Sequence, residues 1–258
     1  MYYYISEGPK VAKEKKWFDN VKTTLVNLGI SGEFAIPSPA RTIDEIINIG
    51  LSRDFSTFAI IGNDNFINQN ISSLINQYYK FPKRNIVVGF VPSEENGLIA
   101  VNLGFQSSDV ACQALAQRFY TKFSIGLVEP NKFFFSPLQI KVSHNAKYII
   151  KTNDYEIEVD TNNISLDSEL NLSITSDLSH NLLSKFTALF KNPTMQKNAV
   201  SSFNSKNFVI STDQLQPVYR NTEIIAKTPI SVLRLRNLLN VIIKRAKIDA
   251  DKEIKNES

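Results

Sequence analysis

Polar side chains between residues 62 and 66 could bind a phosphate group. This stretch reads GNDNF and joins an apolar run to an amphipathic one. A tight strand-to-helix turn needs residues that tolerate positive φ, and asparagine tolerates it best after glycine. We therefore expect Asn63 and Asn65 to form a left-handed turn between Ile61 and Ile67, with the amides of the next helix aimed at an anion. An asparagine-rich helix cap is the alternative interpretation.

Two adjacent glutamates, Glu94 and Glu95, follow the next apolar run. A carboxylate about 5 Å from a phosphate charge is repelled by roughly 3 kcal/mol at an effective dielectric constant near 20. That energy corresponds to about a hundredfold or more in affinity. A Mg²⁺ ion between the groups would reverse the effect, because carboxylates are good magnesium ligands. Four lysines could offset the repulsion if their turn faces the same site, or could simply form a solvated helix face: Lys10, Lys13, Lys15 and Lys16.

Histidine and cysteine chemistry is not predicted. His144 and His180 stand far apart, and neither has a cysteine or histidine at metal-ligand spacing, which argues against a zinc site and a histidine-based triad. The single cysteine, Cys112, excludes an internal disulfide and fits a reducing compartment, so we expect a cytoplasmic protein. Within a helix, such a cysteine is typically a small buried residue.

Charge and hydropathy narrow the range of partners. The net charge of +4 permits an anionic partner, whereas the scattered basic residues match no nucleic-acid-binding module. The N-terminus lacks the pattern of a signal peptide, and no apolar run reaches the roughly 18 residues of a membrane-spanning helix.

The first 127 residues are predicted to form an α/β domain with a parallel sheet. The runs YYYI, EFAI, TFAII and IVVGFV have the length and uniform apolarity of strands covered on both faces. Helical segments alternate with them: Thr42 and Glu45 match a capping box, and Ser107 or Ser108 can cap a later helix. This alternation favours a three-layer architecture, in which ligands bind beyond the carboxyl ends of the strands.

After residue 128 the pattern changes to short strands separated by polar turns, which is typical of an antiparallel β-sandwich. We expect this β-rich domain to span residues 128–248. A helical insert near residues 179–192 carries an apolar stripe with Phe186 and Phe190, and it either packs on the sandwich or docks on a membrane surface or partner. Residues 249–258 are charged and without apolar period, so we expect them to be disordered.

The order and spacing of these segments resemble the bacterial diacylglycerol kinases and the related sphingosine and lipid kinases. The family carries G-G-D-G-T after a strand, then a helix that begins with an aliphatic residue and asparagine. The corresponding string here is IIGNDNFIN, and the residues that fit are Gly62, Asp64, Ile67 and Asn68. A second family segment, P-x-G-T-G-N-D-x-A-x-x-L-G, corresponds to VPSEENGLIAVNLGF. The residues that fit there are Pro92, Ala100, Leu103 and Gly104.

Several family positions are replaced in this chain. In the second segment, the central residues are Glu94, Glu95, Asn96 and Gly97, and the aspartate is Leu98. The aspartate of a later aspartate-leucine-glycine element corresponds to Ser124. The D-G-E element near the C-terminus corresponds to NTE, with Asn221 for the aspartate and Glu223 for the glutamate. The opening N-P-x-(S/A)-G turn is absent, since SEGPK stands in its place.

The resemblance implies a nucleotide-binding domain and a β-rich domain with the active site between them. ATP and Mg²⁺ are the implied cofactors, and the implied nucleotide-binding residues are Gly62, Asn63, Asn65, Asn68, Asn96 and Gly97. Asp64 would lie beside the phosphates and help to hold Mg²⁺, and Glu223 would be the base for a lipid hydroxyl. Because the family's phosphoryl acceptor is a lipid hydroxyl, a membrane lipid as a further partner and peripheral membrane attachment are also expected. A homodimer is expected because the family's β-rich domains often pair.

Two functions from different classes follow from these observations. The first is ATP-dependent phosphoryl transfer to a lipid hydroxyl, as in a diacylglycerol-like lipid kinase. The second is a catalytically degenerate homologue that binds a nucleotide, a lipid or a protein. A NAD-kinase-like activity is a third alternative that rests only on the G-x-D pattern of Gly62 and Asp64.

Overall fold

Two folding units make up the part of the chain that this computed structural model describes, residues 1–78, 85–176 and 199–245. Unit 1 comprises Met1–Ile125 together with the chain from Arg236, and unit 2 comprises Gly126–Leu235. The pattern of apolar and polar residues predicts that residues 128–248 form one domain. It does not predict that the chain returns to unit 1 after Leu235.

A parallel sheet forms the centre of unit 1. Its strands in spatial order are β2 (Gly32–Ala35), β1 (Tyr2–Ser6), β3 (Thr57–Gly62) and β4 (Val87–Pro92). The last part of a long strand, β14 (Ile230–Ile242), extends this sheet, because Asn240 and Val241 pair in parallel with Val87 and Val88. Every residue of β1, β3 and β4 is buried, as the uniformly apolar runs predict.

Helices cover both faces of this sheet. They are α1 (Ala12–Asn27), α2 (Ile43–Ser52), α3 (Asp64–Tyr78), α4 (Leu98–Leu103) and α5 (Ser108–Gln117). The Tyr2 hydroxyl donates to the Leu115 carbonyl of α5 at 2.6 Å. Tyr3 points to the opposite face, where a Cβ added to Gly50 of α2 would lie 2.8 Å from its ring. Neighbouring residues of one strand therefore contact different helical layers, which confirms the three-layer α/β architecture.

The predicted helix caps of α2 and α5 are present. The Thr42 hydroxyl accepts from the Glu45 amide at 3.3 Å, and the Glu45 carboxylate accepts from the Thr42 amide at 2.7 Å, which completes the capping box. Ser107, rather than Ser108, caps α5 through a hydrogen bond from the Val110 amide at 3.3 Å.

Unit 2 is built from antiparallel strands. They are β6 (Lys132–Phe134), β7 (Leu138–Lys151), β8 (Glu156–Leu166), β9 (Asn171–Ser176), β10 (Ala199–Asn204), β11 (Asn207–Thr212), β12 (Pro217–Arg220) and β13 (Glu223–Lys227). One ladder runs in the order β10-β9-β8-β7-β11-β14, and β12 joins β7 to β13. A further strand, β5 (Tyr120–Val128), begins in unit 1 and ends in unit 2, where it pairs with β6. Phe134, Tyr148 and Phe208 belong to one buried core, and the fold class is thus as predicted.

Two predicted segments, the helical insert near residues 179–192 and the tail 249–258, lie outside the described residues. Within the ranges that are described, no helix is both long and apolar enough to cross a membrane.

Candidate functional site

The turn between β3 and α3 is a helix cap and not a left-handed loop. Residues 61–67 are all described and none has a positive φ, so the expectation of a left-handed turn at Asn63 and Asn65 is wrong. The Asn63 side-chain oxygen accepts from the Phe66 amide at 2.8 Å, and the Asn63 carbonyl accepts from the Ile67 amide at 3.0 Å. This is the geometry of an N-cap asparagine, which the alternative interpretation describes.

A glutamate from the end of β1 covers this turn. Glu7 Oε1 accepts from the Asn63 side-chain amide at 3.3 Å, and Glu7 Oε2 lies 3.5 Å from the Asn63 backbone nitrogen. The Lys10 ammonium binds the same carboxylate at 2.6 Å. The left-handed residue near this edge is Gly8, with φ of 77°, in the loop that leads to α1. The turn amide that would contact a phosphate therefore already faces a carboxylate.

Asp64 connects the first loop to the second. Its side chain is buried, with 4% of the residue exposed, and Oδ2 accepts from the Ile99 amide of α4 at 3.3 Å. A Cβ added to Gly97 would lie 2.9 Å from Asp64 Oδ1. Gly97 is the N-cap residue of α4 and makes no side-chain cap, so the Asp64 carboxylate supplies one from another helix.

Burial raises the pKa of the Asp64 carboxyl, and the nearby Glu94 carboxylate raises it further. Hydrogen bonding from the Ile99 and Leu98 amides lowers the pKa and only partly offsets burial. Oδ1 has no hydrogen-bond partner among the described atoms. The hydrogen bonds from α4 thus hold the Asp64 carboxylate at a buried position where its charged form is disfavoured.

The remaining residues that the resemblance assigns to nucleotide binding differ in position. Asn68 is buried, and its side-chain amide donates to the Asp64 carbonyl at 2.8 Å, one turn earlier in the helix. Gly62 is buried at the end of β3, whereas Asn65 is half-buried and Asn96 is exposed. Asn63 contacts Glu7, and Gly97 lies against the Asp64 carboxylate, as described above.

A cavity of about 400 Å³ opens beyond the carboxyl ends of β1, β3 and β4. This is the edge where ligands bind in parallel α/β sheets. Asn63 and Glu94, which the sequence singles out, belong to its lining. Two further lining residues, Glu7 and Trp17, are absent from the sequence-based candidates. The position of Glu7 directly after the last residue of β1 could have identified it, since side chains at strand carboxyl ends gather at this edge.

Glu223, the predicted base, lies in unit 2 and is paired. Its Oε2 accepts from Arg220 Nη2 at 2.7 Å, and Nη1 of the same guanidinium donates to the Phe133 carbonyl at 2.8 Å. Arg220 is buried, and its neighbour Asn221 has a φ of 55°. Ser124, which replaces a family aspartate, is buried as well.

The described residues do not fit a magnesium–nucleotide complex. Within those residues, no group of three or more histidine, cysteine, aspartate or glutamate side chains could hold a metal ion. The Asn63 amide faces Glu7, and Asp64 is bound to α4. These two groups are therefore engaged by the protein itself and are not open to a triphosphate.

Comparisons with known proteins give a structural likeness alone. No protein-family model matches the chain, and no curated protein matches it. Three solved structures that do match are of Bacillus anthracis str. Sterne proteins named as diacylglycerol kinases, two of them provisionally. Their TM-scores are 0.74, 0.73 and 0.73, at identities of 11%, 11% and 10%. Each match covers 95% of this chain and 97% of the other. The chain thus has a diacylglycerol kinase-like fold.

Proposed function

We propose that this protein is a binding module on a lipid kinase-like fold and transfers no phosphoryl group. The cavity at the carboxyl edge of the unit 1 sheet is its ligand site. The observation that carries the proposal is the Glu7 carboxylate, which lies 3.5 Å from the Asn63 amide at the turn where a phosphate would bind.

The electrostatics of the cavity support this proposal. Its charged lining residues are Glu7, Lys10, Lys13, Glu14 and Glu94. The carboxylates outnumber the ammonium groups by one, so a ligand with several negative charges meets a lining of the same sign. A single carboxylate about 5 Å from a phosphate charge opposes binding by roughly 3 kcal/mol.

The two predicted catalytic carboxylates support it too. Phosphoryl transfer needs charge neutralisation at the transferred group and a base near the acceptor hydroxyl. Asp64 accepts from the Ile99 amide, and an oxygen of Glu223 accepts from Arg220. Each side chain therefore has a structural partner in its own folding unit.

Calorimetry with MgATP tests the proposal. We expect no heat of binding at millimolar MgATP, and no transfer of label from ATP to diacylglycerol in mixed micelles. Micromolar binding that is lost in Asp64→Ala, together with label transfer that is lost in Glu223→Gln, would establish a lipid kinase instead.

A matched pair of variants tests the role of Glu7. Glu7→Gln removes the charge from the Asn63 amide, so a gain of about tenfold or more in affinity should make MgATP binding detectable at millimolar concentration, where the wild type shows none. Glu95→Gln removes the same charge from an exposed residue outside the cavity lining and should have no such effect. Equal responses of the two variants would mean that net charge matters and the position of Glu7 does not.

A further inference from the structure

The lining of the unit 1 cavity combines an apolar wall with unpaired charges. Val11, Trp17, Phe18 and Ile61 contribute apolar surface, and Trp17 is half-buried. A volume of about 400 Å³ is within the range of small-molecule sites, roughly 300–1,000 Å³. The cavity can therefore hold a compact organic ligand with an apolar body.

One pair of charges in this lining is internally neutralised. The Lys10 ammonium and the Glu7 carboxylate are 2.6 Å apart, and Glu7 also accepts from Asn63. The backbone amide of Lys10 donates to Glu14 Oε2 at 2.7 Å, and the Glu14 carboxylate forms no ion pair with a described residue. These contacts remove one positive and one negative charge from what a ligand would meet.

The charges that remain favour a cation. They are the carboxylates of Glu14 and Glu94 and the ammonium of Lys13, none of which forms an ion pair with any described residue. Two carboxylates against one ammonium leave a single excess negative charge. A ligand with one positive charge balances it.

We propose that this cavity binds a small protonated amine that carries an apolar group. The ammonium lies toward Glu94 and Glu14, and the apolar group lies against Trp17. This deepens the proposed function by naming the ligand class, and it rests on that function only in using the same cavity.

Trp17 is the single tryptophan of the chain, so its fluorescence reports on the cavity without a label. Three probes share one apolar body and differ in charge: phenethylamine, 2-phenylethanol and 3-phenylpropanoate. Titrated into the full chain, they should bind with affinity falling in that order, with about fivefold between the cation and the neutral alcohol. Equal binding of the three, tighter binding of the acid, or no response to phenethylamine up to its solubility would overturn the proposal.

Variants then locate the charge that matters. Glu94→Gln should weaken phenethylamine binding by about fivefold and leave 2-phenylethanol unchanged. Glu95→Gln, which removes a charge outside the lining, should change neither. If both variants weaken the amine equally, or neither does, Glu94 is not the contact and the proposal fails.

The result for MgATP separates this proposal from the proposed function. If phenethylamine binds as expected while the protein also phosphorylates a lipid, the proposal that no phosphoryl group is transferred is wrong, and the proposal of an amine site stands. If neither phenethylamine nor MgATP binds and no label is transferred, the proposal of an amine site is wrong, and the proposal that no phosphoryl group is transferred stands.

Discussion

Asp64 joins two loops of unit 1 through one carboxylate group. It begins α3, yet its Oδ2 accepts from the first turn of α4, and the absence of a side chain at Gly97 leaves room for its Oδ1. Burial disfavours the charged form of Asp64 in the folded state, and the hydrogen bond from Ile99 offsets this only in part. A residue whose position suggests catalysis therefore also makes a structural contact.

Substitution of Asp64 should separate the hydrogen bond from the charge. Asp64→Ala removes the cap of α4 and should lower the free energy of unfolding by about 1 kcal/mol. Asp64→Asn keeps an oxygen for the Ile99 amide and carries no charge, so it should be as stable as the wild type or more stable at pH 7. Urea unfolding followed by circular dichroism measures both, and equal losses would contradict the cap.

The pH dependence follows from the raised pKa of Asp64. The contribution of the Asp64 carboxyl to the free energy of unfolding is fully present below the unfolded-state pKa of about 3.8. It is lost as pH rises through the higher folded-state pKa. Asparagine does not titrate in this range. The stability of Asp64→Asn relative to the wild type should therefore increase between pH 4 and pH 7, as measured by urea unfolding. A difference in the free energy of unfolding that stays constant over this pH range would show that the charge of Asp64 is not disfavoured by burial.

Gly97→Ala tests the close approach from the other side. The added methyl group would lie 2.9 Å from Asp64 Oδ1 and 3.0 Å from the Glu94 carbonyl, so we expect a loss of about 1–3 kcal/mol in the free energy of unfolding. In an Asp64→Ala background the loss should be smaller, because one of the two contacts is gone. Asn96→Ala at the neighbouring exposed position is the control, with an expected change below about 0.5 kcal/mol.

Cys112 provides a second residue-scale test. The thiol is fully buried in α5, and burial raises its pKa from 9.0 to about 12, with the Asp109 carboxylate adding to the effect. The thiolate fraction at pH 8 is thus about a thousandfold lower than for an ordinary cysteine. We expect very slow reaction with a disulfide reagent in buffer and rapid reaction in urea; fast reaction of the folded protein would show that α5 is exposed.

At the scale of elements, side-chain caps define several helix starts in unit 1. Asn63 caps α3, Thr42 caps α2, Ser107 caps α5, and Asp64 caps α4 from a different helix. Each cap satisfies an amide that would otherwise lack a partner at a helix N-terminus. At α3 and α4, the same amides are the ones that a phosphate would use.

Thr42→Ala tests the importance of these caps. The capping box fixes the start of α2, whose buried residues Ile46, Ile47 and Leu51 pack against the rest of unit 1. Loss of the hydroxyl should lower the free energy of unfolding by about 1 kcal/mol, and Thr42→Ser should keep most of it. Urea unfolding followed by Trp17 fluorescence measures both, and a loss in the serine variant as large as in the alanine variant would contradict the hydrogen bond as the cause.

Local contacts explain which elements the sequence predicts. The capping box joins Thr42 and Glu45, which are three positions apart, and the apolar run of β1 is complete within the strand, so both can be read from neighbours in the chain. Asn63 suits either a left-handed turn or an N-cap, and sequence alone leaves these two open. The contacts of Glu7 with Asn63 and of Asp64 with Ile99 join residues 56 and 35 positions apart, and no local pattern encodes them.

At the scale of the whole molecule, fold and chemistry are separable. The chain aligns over 95% of its length with proteins named as diacylglycerol kinases, yet only 11% of the residues are identical. A fold shared at this identity does not by itself carry an activity, so function has to be argued from the residues of the site.

The contribution of β14 to the stability of unit 1 can be measured at this scale. Ile242 is fully buried, and its Cδ1 atom lies 3.3 Å from where a Cβ of Gly89 would stand. Ile242→Ala should lower the free energy of unfolding of unit 1 by about 2–5 kcal/mol. Trp17 fluorescence in urea follows unit 1, since the tryptophan belongs to α1. Leu215→Ala, at a residue that is 70% exposed, should leave that transition in place.

The return of β14 to unit 1 also has a consequence for biosynthesis. The strand that pairs with Val87 and Val88 is translated only after the whole of unit 2. During elongation on the ribosome, β4 therefore waits with one edge open while more than a hundred residues are added, and such an edge is a site for wrong pairing between nascent chains. Chaperone dependence of the newly made protein should accordingly end only after β14 has been synthesised.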